Sequence, residues 1–243
     1  MTTEYHLLTK VIFPNGSAFE KKWVEVFAPG APIVCPNAWD VKNVYYLLRT
    51  IELMQNNTPI ILQAALWNAL RKIHGVVDVL IHSSAFSKIY PGVLSEEVLK
   101  INAPNLMCGH YIPLDLKFTS DLERKHQDLL INSLQLKSYA YMVGEIQGLH
   151  PSNGFLITRD HIKDPISIPI LTEFGGEFDY QFEEVVEKYH EIIINGEDYR
   201  PWSHSLVEYN IKNKQDWPWH SAKEKMAKEQ YEGGDPTLLP EIN

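Results

Sequence analysis

Asp115 and Lys117 are the two residues whose types and spacing point most directly to chemistry. They lie in the segment 111–118, Tyr-Ile-Pro-Leu-Asp-Leu-Lys-Phe, where apolar residues recur at every second position, as in a β-strand. Residues two apart on a strand share a face, with Cα atoms about 6.6 Å apart. A carboxylate and an ammonium at this spacing suit a site that holds a metal ion and a water molecule together. An ion pair facing solvent is the simpler alternative.

Asp78 is a second carboxylate in a position that strands disfavour. It stands in the run His-Gly-Val-Val-Asp-Val-Leu-Ile, residues 74–81, which is rich in β-branched residues. A buried carboxylate needs a hydrogen bond or a cation. Asp78 therefore either belongs to a functional site, caps a bend, or pairs with Arg71 or Lys72.

Glu20 is the third carboxylate, in the segment Pro14-Asn-Gly-Ser-Ala-Phe-Glu20. The sequence predicts that this segment opens the first helix. Ser17 and Glu20 have the spacing of a capping box, in which the glutamate bonds back to the start of its own helix. The two roles exclude each other, because a carboxylate bonded to the cap is not free to face a metal ion.

Gln135 and Tyr139 stand four residues apart in a segment predicted to be helical, so they lie on one helix face. An amide and a phenol on that face can bond phosphate oxygens or orient a lysine. A helix face that meets solvent is the alternative for this pair taken alone.

Taken in order, the four segments resemble the RecB-like branch of the PD-(D/E)xK nuclease superfamily. The matching motifs are Gly16-Ser-Ala-Phe-Glu20, Gly75-Val-Val-Asp78, Asp115-Leu-Lys117 and Gln135-Leu-Lys-Ser-Tyr139. The similarity covers residues 11 to 160 and continues through Gly148 and Pro151 into the segment Gly-Phe-Leu-Ile at 154–157. Each motif is short, so the resemblance depends on the order of the motifs and on the helix or strand in which each is predicted to lie.

The resemblance implies a metal-dependent deoxyribonuclease that hydrolyses phosphodiester bonds, on DNA rather than RNA, in replication, repair or recombination. The implied cofactor is Mg²⁺ or Mn²⁺, bound by Glu20, Asp78, Asp115 and the main-chain carbonyl of Leu116, since these ions prefer hard oxygen ligands. Lys117 would be catalytic beside the three carboxylates. Gln135 and Tyr139 would position Lys117 or the nucleic-acid backbone.

The predicted fold is α/β (α+β), with a restriction-endonuclease-like core in which helices flank a mixed central sheet. We expect strands at 60–62, 76–81, 111–118, 155–158 and 166–170, and helices at 15–27, 39–54 and 128–147. A last helix is expected to end at Gly196. Residues 1–196 would form the nuclease-like domain, with an excursion at 83–109 that forms a lid or a substrate wall. Residues 197–243 would be an irregular C-terminal extension of a chain that is not necessarily full length.

Two details of these elements depend on single residues. Pro113 lacks a backbone donor, which predicts an edge strand or a local irregularity. The helix expected at 39–54 would present Val41, Val44, Tyr45, Leu48 and Ile51 on its apolar face.

Composition excludes several classes of protein. The chain has 243 residues, of which 44% are hydrophobic and 22% charged, which excludes collagen, coiled coils and disordered chains. No uncharged apolar run approaches the roughly 20 residues of a membrane span, and no signal peptide is visible. Two cysteines 73 positions apart indicate neither a zinc clip nor a disulfide framework. We therefore expect an intracellular protein, cytoplasmic or nuclear, without a membrane partner.

Charge leaves an alternative function open. The formal net charge of −9 argues against a surface coated by nucleic acid, although cations held by carboxylates can bring a polyanion to an acidic protein. The alternative is a catalytically inactive nuclease-like module that binds nucleic acid or assembles a larger complex. The segment Trp217-Pro-Trp-His220 is a candidate contact for a protein partner. His74, His82 and His110 match no standard zinc spacing, so packing or phosphate contact is expected of them.

Overall fold

A computed structural model of the chain describes residues 13–69, 71–119, 126–171 and 180–195. These residues form five strands, six α-helices and one 3₁₀ helix, Ala38–Lys42. The strands are β1 Ile60–Asn68, β2 Ile73–His82, β3 Tyr111–Lys117, β4 Asn153–Thr158 and β5 Ile166–Pro169. The helices are α1 Phe13–Phe27, α2 Val44–Gln55, α3 Ser83–Ile89, α4 Glu96–Leu99, α5 His126–Gln147 and α6 Tyr180–Asn195.

The five strands form one mixed sheet in the order β1-β2-β3-β4-β5. β1 and β2 are an antiparallel hairpin, β2 and β3 are antiparallel, β3 and β4 are parallel, and β4 and β5 are antiparallel. The parallel pair is joined through α5, since parallel strands need a long crossover connection. A mixed α/β fold with helices flanking a central sheet was predicted and is confirmed.

Two apolar clusters cover the sheet. The first joins Trp23 of α1 and Phe86 of α3 to Leu114, Leu116 and other strand residues. The second joins Met54 of α2 and Met142 of α5 to residues of the three strands at the β1 edge. Burial of apolar side chains on both sides of the strands is the main stabilisation of such a layered fold.

The excursion at 83–109 is part of the core. Phe86 and Tyr90 are buried in the first cluster, and the Trp23 indole donates to the Tyr90 hydroxyl at 3.1 Å. Ser83 N donates to His110 O at 2.8 Å, which closes the excursion at its base. The strands on either side therefore stay paired, from Val79↔Leu114 to His82↔Tyr111. Its role as a lid or substrate wall stays a prediction.

Pro113 does not mark an edge strand. It lies in β3, the central strand of the sheet, in register with Leu80. Leu116 N points toward β2, where Asp78 accepts its hydrogen bond, so alternation turns the nitrogen of Pro113 toward β4. The β3–β4 ladder begins only at Leu114, one residue later, so the missing donor breaks no ladder bond.

The end of α6 marks the limit of the described chain. Contacts divide the chain after Glu187 into two units, Met1–Glu187 and Lys188–Asn243, and the second is described only over 188–195. The predicted boundary at 196, the predicted extension 197–243 and the segment Trp217-Pro-Trp-His220 lie outside the described residues. Within the described residues, no helix combines the length and the hydropathy of a membrane span.

Candidate active site

The sheet forks where β2 leaves β3. Pairing between these strands ends at Val79↔Leu114, whereas β3 stays paired with β4 as far as Lys117↔Thr158. β2 in turn stays paired with β1 beyond this level, as far as Asn68↔Ile73. The two strands therefore diverge with Asp78 on one arm and Asp115 and Lys117 on the other.

Asp78 bridges the fork. Its Oδ2 accepts a hydrogen bond from Leu116 N at 2.9 Å, in place of the ladder bond that the divergence removes. Its Oδ1 lies 3.5 Å from the donor Nε2 of Gln63 on β1. Pairing with Arg71, one of the simpler alternatives, is wrong, because the Arg71 guanidinium pairs with Glu183 of α6.

Asp115 and Lys117 form an ion pair in which the carboxylate is buried and the ammonium side chain is partly exposed. Asp115 Oδ2 lies 2.9 Å from Lys117 Nζ, and Asp115 is only 1% exposed. The alternative of an ion pair facing solvent is therefore wrong. The neighbours Leu114 and Leu116 belong to the first apolar cluster, so the opposite face of β3 is covered as the alternation predicted.

Gln135 and Tyr139 hold Lys117 from α5. Lys117 Nζ donates to Gln135 Oε1 at 3.2 Å, and Gln135 Nε2 donates to the Tyr139 hydroxyl oxygen at 2.8 Å. The two bonds fix which way the amide of Gln135 faces, because an ammonium needs an acceptor. Burial, opposed by the Gln135 hydrogen bond, raises the pKa of Tyr139, so the phenol stays neutral at physiological pH. A helix face that merely meets solvent does not describe this pair.

Gly75 leaves the space on β2 that the Tyr139 ring occupies. A Cβ at position 75 would lie 2.9 Å from the Tyr139 ring atom Cε1, closer than such contacts occur. Residue 75 therefore has no room for a side chain while Tyr139 lies against β2. This close approach is the physical reason for a glycine three residues before Asp78.

Glu20, on α1, lies close enough to Lys117 and Asp115 to interact with both of their charges. Ser17 lies inside the helix Phe13–Phe27 rather than at its N-cap, so the capping-box alternative is wrong. Burial raises the pKa of Glu20, the positive charge of Lys117 lowers it, and the negative charge of Asp115 raises it again. Glu20 is thus electrostatically coupled to the ion pair on β3.

The carboxyl of Asp78 is protonated at neutral pH in the absence of a cation. Burial raises its pKa to about 8, the charge of Asp115 adds to the rise, and the bond from Leu116 N opposes it. An Asp whose pKa rises on folding keeps a proton that the unfolded chain has released. When Asp78 loses this proton, the two facing carboxylates carry one negative charge more than Lys117 neutralises, and a cation would balance that charge.

The raised pKa predicts how stability depends on pH without metal. The unfolded pKa is near 3.9, so the contribution of Asp78 is fully present below pH 4 and is lost as pH rises toward 8. We expect wild type to lose up to about 1.4 kcal/mol per pH unit relative to Asp78→Asn between pH 5 and 8. Urea unfolding in chelator measures this difference, with the exposed Asp164→Asn as control. Parallel pH curves for wild type and Asp78→Asn would contradict the assignment.

The residues at the fork fit a hard divalent ion. Asp115 Oδ2 is buried and accepts no hydrogen bond, since its contact with Lys117 lacks hydrogen-bond angles. The carbonyl of Leu116 points into the fork with its N–H, because both groups of a strand residue face one side. Oxygen donors of this kind suit Mg²⁺ or Mn²⁺.

The fork brings together fewer metal-binding carboxylates than the three that the resemblance implies. No group of three or more His, Cys, Asp or Glu side chains has metal-binding spacing among the described residues. Mg²⁺ is commonly held by one or two carboxylates, with waters and substrate phosphates completing its shell. Asp78 and Asp115 supply that number, and Glu20 as a third ligand stays a prediction.

His82 and His110 make their hydrogen bonds away from this site. His82 and His110 are buried, and their rings bond the carbonyls of Cys108 and Ile101. The packing role expected of these two histidines is thus observed. Cys35 is buried and Cys108 exposed, and neither forms a disulfide.

A surface cavity lies at the far end of the β1–β2 hairpin. Its volume is about 240 Å³, and its lining includes Lys42, Trp67, Lys72 and His74. The Trp67 indole donates to Val41 O at 2.6 Å, which fixes the ring as one wall. The surface that lines this cavity is mostly apolar, and the exposed residues Lys42, Lys72 and His74 lie around it.

Sequence reasoning missed Gln63, which touches Asp78 from β1. Nothing in the sequence around residue 63 distinguishes this glutamine from any other polar residue within an apolar strand. Only the register of the hairpin, which places residue 63 opposite residue 78, brings it to the site.

Comparison with known proteins identifies no family for this chain. No family model matches it, and no curated protein matches it at the significance required. The resemblance to the RecB-like nucleases therefore stays a prediction from the four sequence motifs.

Proposed function

We propose that the protein is a metal-dependent nuclease that hydrolyses phosphodiester bonds. The observation that carries the proposal is the ion pair of Asp115 and Lys117, whose carboxylate is buried at a strand fork with Asp78 facing it. A purely structural ion pair gains little from burial of its carboxylate, because the cost of desolvation can exceed the attraction between the charges. Perturbed carboxylates beside an amine occur preferentially at functional sites.

Asp78, Asp115 and the Leu116 carbonyl would hold Mg²⁺ or Mn²⁺, with Glu20 close to the same charges. The bound ion would polarise the scissile phosphate and lower the pKa of a water molecule. Asp78 would release its proton on binding, because a carboxylate ligand must be ionised.

Lys117 would act on the phosphate or on the attacking water. Its ammonium has three N–H groups, of which one donates to Gln135 Oε1, while Asp115 pairs with the ammonium at 2.9 Å without hydrogen-bond geometry. The side chain is 29% exposed, so the ammonium can also reach a ligand at the surface. From there it can orient the water or neutralise the charge that develops on the phosphoryl oxygens. Tyr139 would keep Gln135, and thereby Lys117, in this position.

A nucleic acid is the substrate class that the family resemblance implies. The cavity beside Trp67, which Lys42 and Lys72 also line, lies on the same hairpin as Asp78, and Asp78 follows His74 by four residues on β2. Phosphates bind to lysine clusters, and bases stack on aromatic side chains. The preference for DNA over RNA, and the role in replication, repair or recombination, rest on the family resemblance.

Cleavage of labelled DNA tests the proposal. Single- and double-stranded substrates are incubated with wild type, Asp115→Ala and Lys117→Ala in Mg²⁺, Mn²⁺ or chelator. We expect wild type and Asp164→Ala, a control at an exposed position, to cleave DNA in Mg²⁺ or Mn²⁺ but not in chelator. Asp115→Ala and Lys117→Ala are expected to lose this activity. Equal activity in all four proteins would contradict the proposal, because the product would then come from elsewhere.

A nuclease-like binding module is the second candidate. The observation that favours it is the lack, among the described residues, of a group of three metal-binding side chains. Such a module would keep its affinity for an oligonucleotide in chelator and form no product with Mg²⁺ or Mn²⁺. The same experiment therefore separates the two functions.

A further inference from the structure

Gln63 has an unusual backbone for a residue in the middle of a buried strand. Its φ is +47°, in the left-handed region that side chains other than glycine rarely occupy. It stands between Leu62 and Ala64, which pair with Val79 and Val77, so its register partner is Asp78. The strained residue and the candidate metal ligand thus face each other across the hairpin.

On both strands, the alternation of side chains between the two faces of the sheet is interrupted at Gln63 and Asp78. A regular strand sends alternate side chains to opposite faces. Before residue 63, Ile60 and Leu62 belong to the first apolar cluster, whereas after it Ala64 and Leu66 belong to the second. On β2 the same change separates Val77, in the second cluster, from Val79 and Ile81, in the first.

The change in alternation has a local consequence for Asp78. Gln63 Nε2 approaches Asp78 Oδ1 at 3.5 Å, while Leu116 N holds Oδ2 at 2.9 Å. The two donors come from the strands on either side of β2: Leu116 N holds one carboxyl oxygen, and the Gln63 amide faces the other at the limit of hydrogen-bond distance. An amide adds no charge, so it orients Asp78 without competing with a cation.

We infer that Gln63 is a positioning residue, held in a strained backbone conformation so that its amide orients Asp78 for the divalent ion. The inference rests on the proposed function. Residues in sparsely populated backbone conformations cluster at functional sites, where other parts of the fold compensate for the strain. Partners of metal-ligating side chains commonly change metal affinity 10- to 100-fold.

Gln63→Gly gives this inference a signature of two opposite effects. Glycine accepts a positive φ without strain, so we expect the melting temperature in chelator to rise by roughly 2 to 4 °C. The same variant lacks the amide, so its affinity for Mn²⁺, measured by titration calorimetry without DNA, is expected to fall about tenfold. A residue with a merely structural role would not separate stability from metal affinity in this way.

Two further variants complete the experiment. Asn57→Gly is the matched control, because Asn57 has a φ of +52° in the turn after α2; its metal affinity is expected to equal that of wild type. Gln63→Asn tolerates the left-handed backbone but is one methylene shorter, so it is expected to fold and to bind Mn²⁺ weakly.

The outcomes distinguish this inference from the proposed function. Equal Mn²⁺ affinity of wild type, Gln63→Gly and Gln63→Asn would overturn the positioning role and leave the nuclease proposal intact. A wild type that binds no Mn²⁺ would overturn the metal-dependent function and, with it, this inference.

Discussion

Lys117→Met is expected to slow DNA cleavage by about 10² to 10⁴-fold at saturating metal. Methionine keeps most of the side-chain volume but removes the ammonium that Asp115 and Gln135 hold in place. The loss should appear in kcat rather than in KM, because the proposed role of Lys117 is in the chemical step. Single-turnover cleavage of a labelled oligonucleotide measures it.

A double variant separates this chemical effect from stability. Lys117→Met leaves the carboxylate of Asp115, only 1% exposed, without its ion pair, which we expect to cost about 3 kcal/mol. Adding Asp115→Asn removes the buried charge and should restore most of that stability without restoring cleavage. Cleavage at the wild-type rate by the single variant would contradict the role of Lys117.

Asp115→Asn is expected to weaken Mn²⁺ binding by more than the 10- to 100-fold that loss of an outer partner costs. The substitution keeps the shape of the side chain but removes the charge of an oxygen that accepts no hydrogen bond within the described structure. The measurement is a calorimetric titration of Mn²⁺ without DNA. Asp164→Asn, an exposed carboxylate far along the sequence, is the matched control.

The contrary result would identify Asp115 as a structural residue. If Asp115→Asn bound Mn²⁺ as wild type does, the carboxylate would serve only to pair with Lys117. The binding-module function would then account better for the fork, since it needs no metal.

Much of the site follows from local sequence patterns. The alternation around Asp115 and Lys117 predicted a strand with one apolar face, and the structure has both residues on β3 with Leu114 and Leu116 in the core. The spacing of Gln135 and Tyr139 predicted a shared helix face, which the chain of hydrogen bonds from Lys117 confirms. Both patterns are local, so the sequence contains them directly.

Other features depend on tertiary contacts and were not predictable. The helix expected at 39–54 is interrupted at Asn43, whose side chain caps the backbone N–H of Tyr45. The expected apolar face is wrong as well, since Val44, Tyr45 and Leu48 are exposed, whereas Leu53 and Met54 are buried. The residues of α2 that pack against the sheet are Leu53 and Met54, near its C-terminal end. The position of β1 determines this contact, and the sequence of the helix alone does not show it.

The fork and Gln63 show the same limit more clearly. Where β2 stops pairing with β3 depends on three strands at once, and no single segment encodes it. The left-handed conformation of Gln63 is likewise invisible in a sequence where position 63 carries no glycine. Long-range register therefore determines which residues surround Asp78.

A crystal structure of the protein with Mn²⁺, in which anomalous scattering locates the ion, tests the proposed metal site most directly. A metal site at the fork predicts one peak there, bonded to oxygens of Asp78 and Asp115 and to the Leu116 carbonyl, with Lys117 beside it. A fork without anomalous density, in crystals where Mn²⁺ is found elsewhere or nowhere, would contradict it.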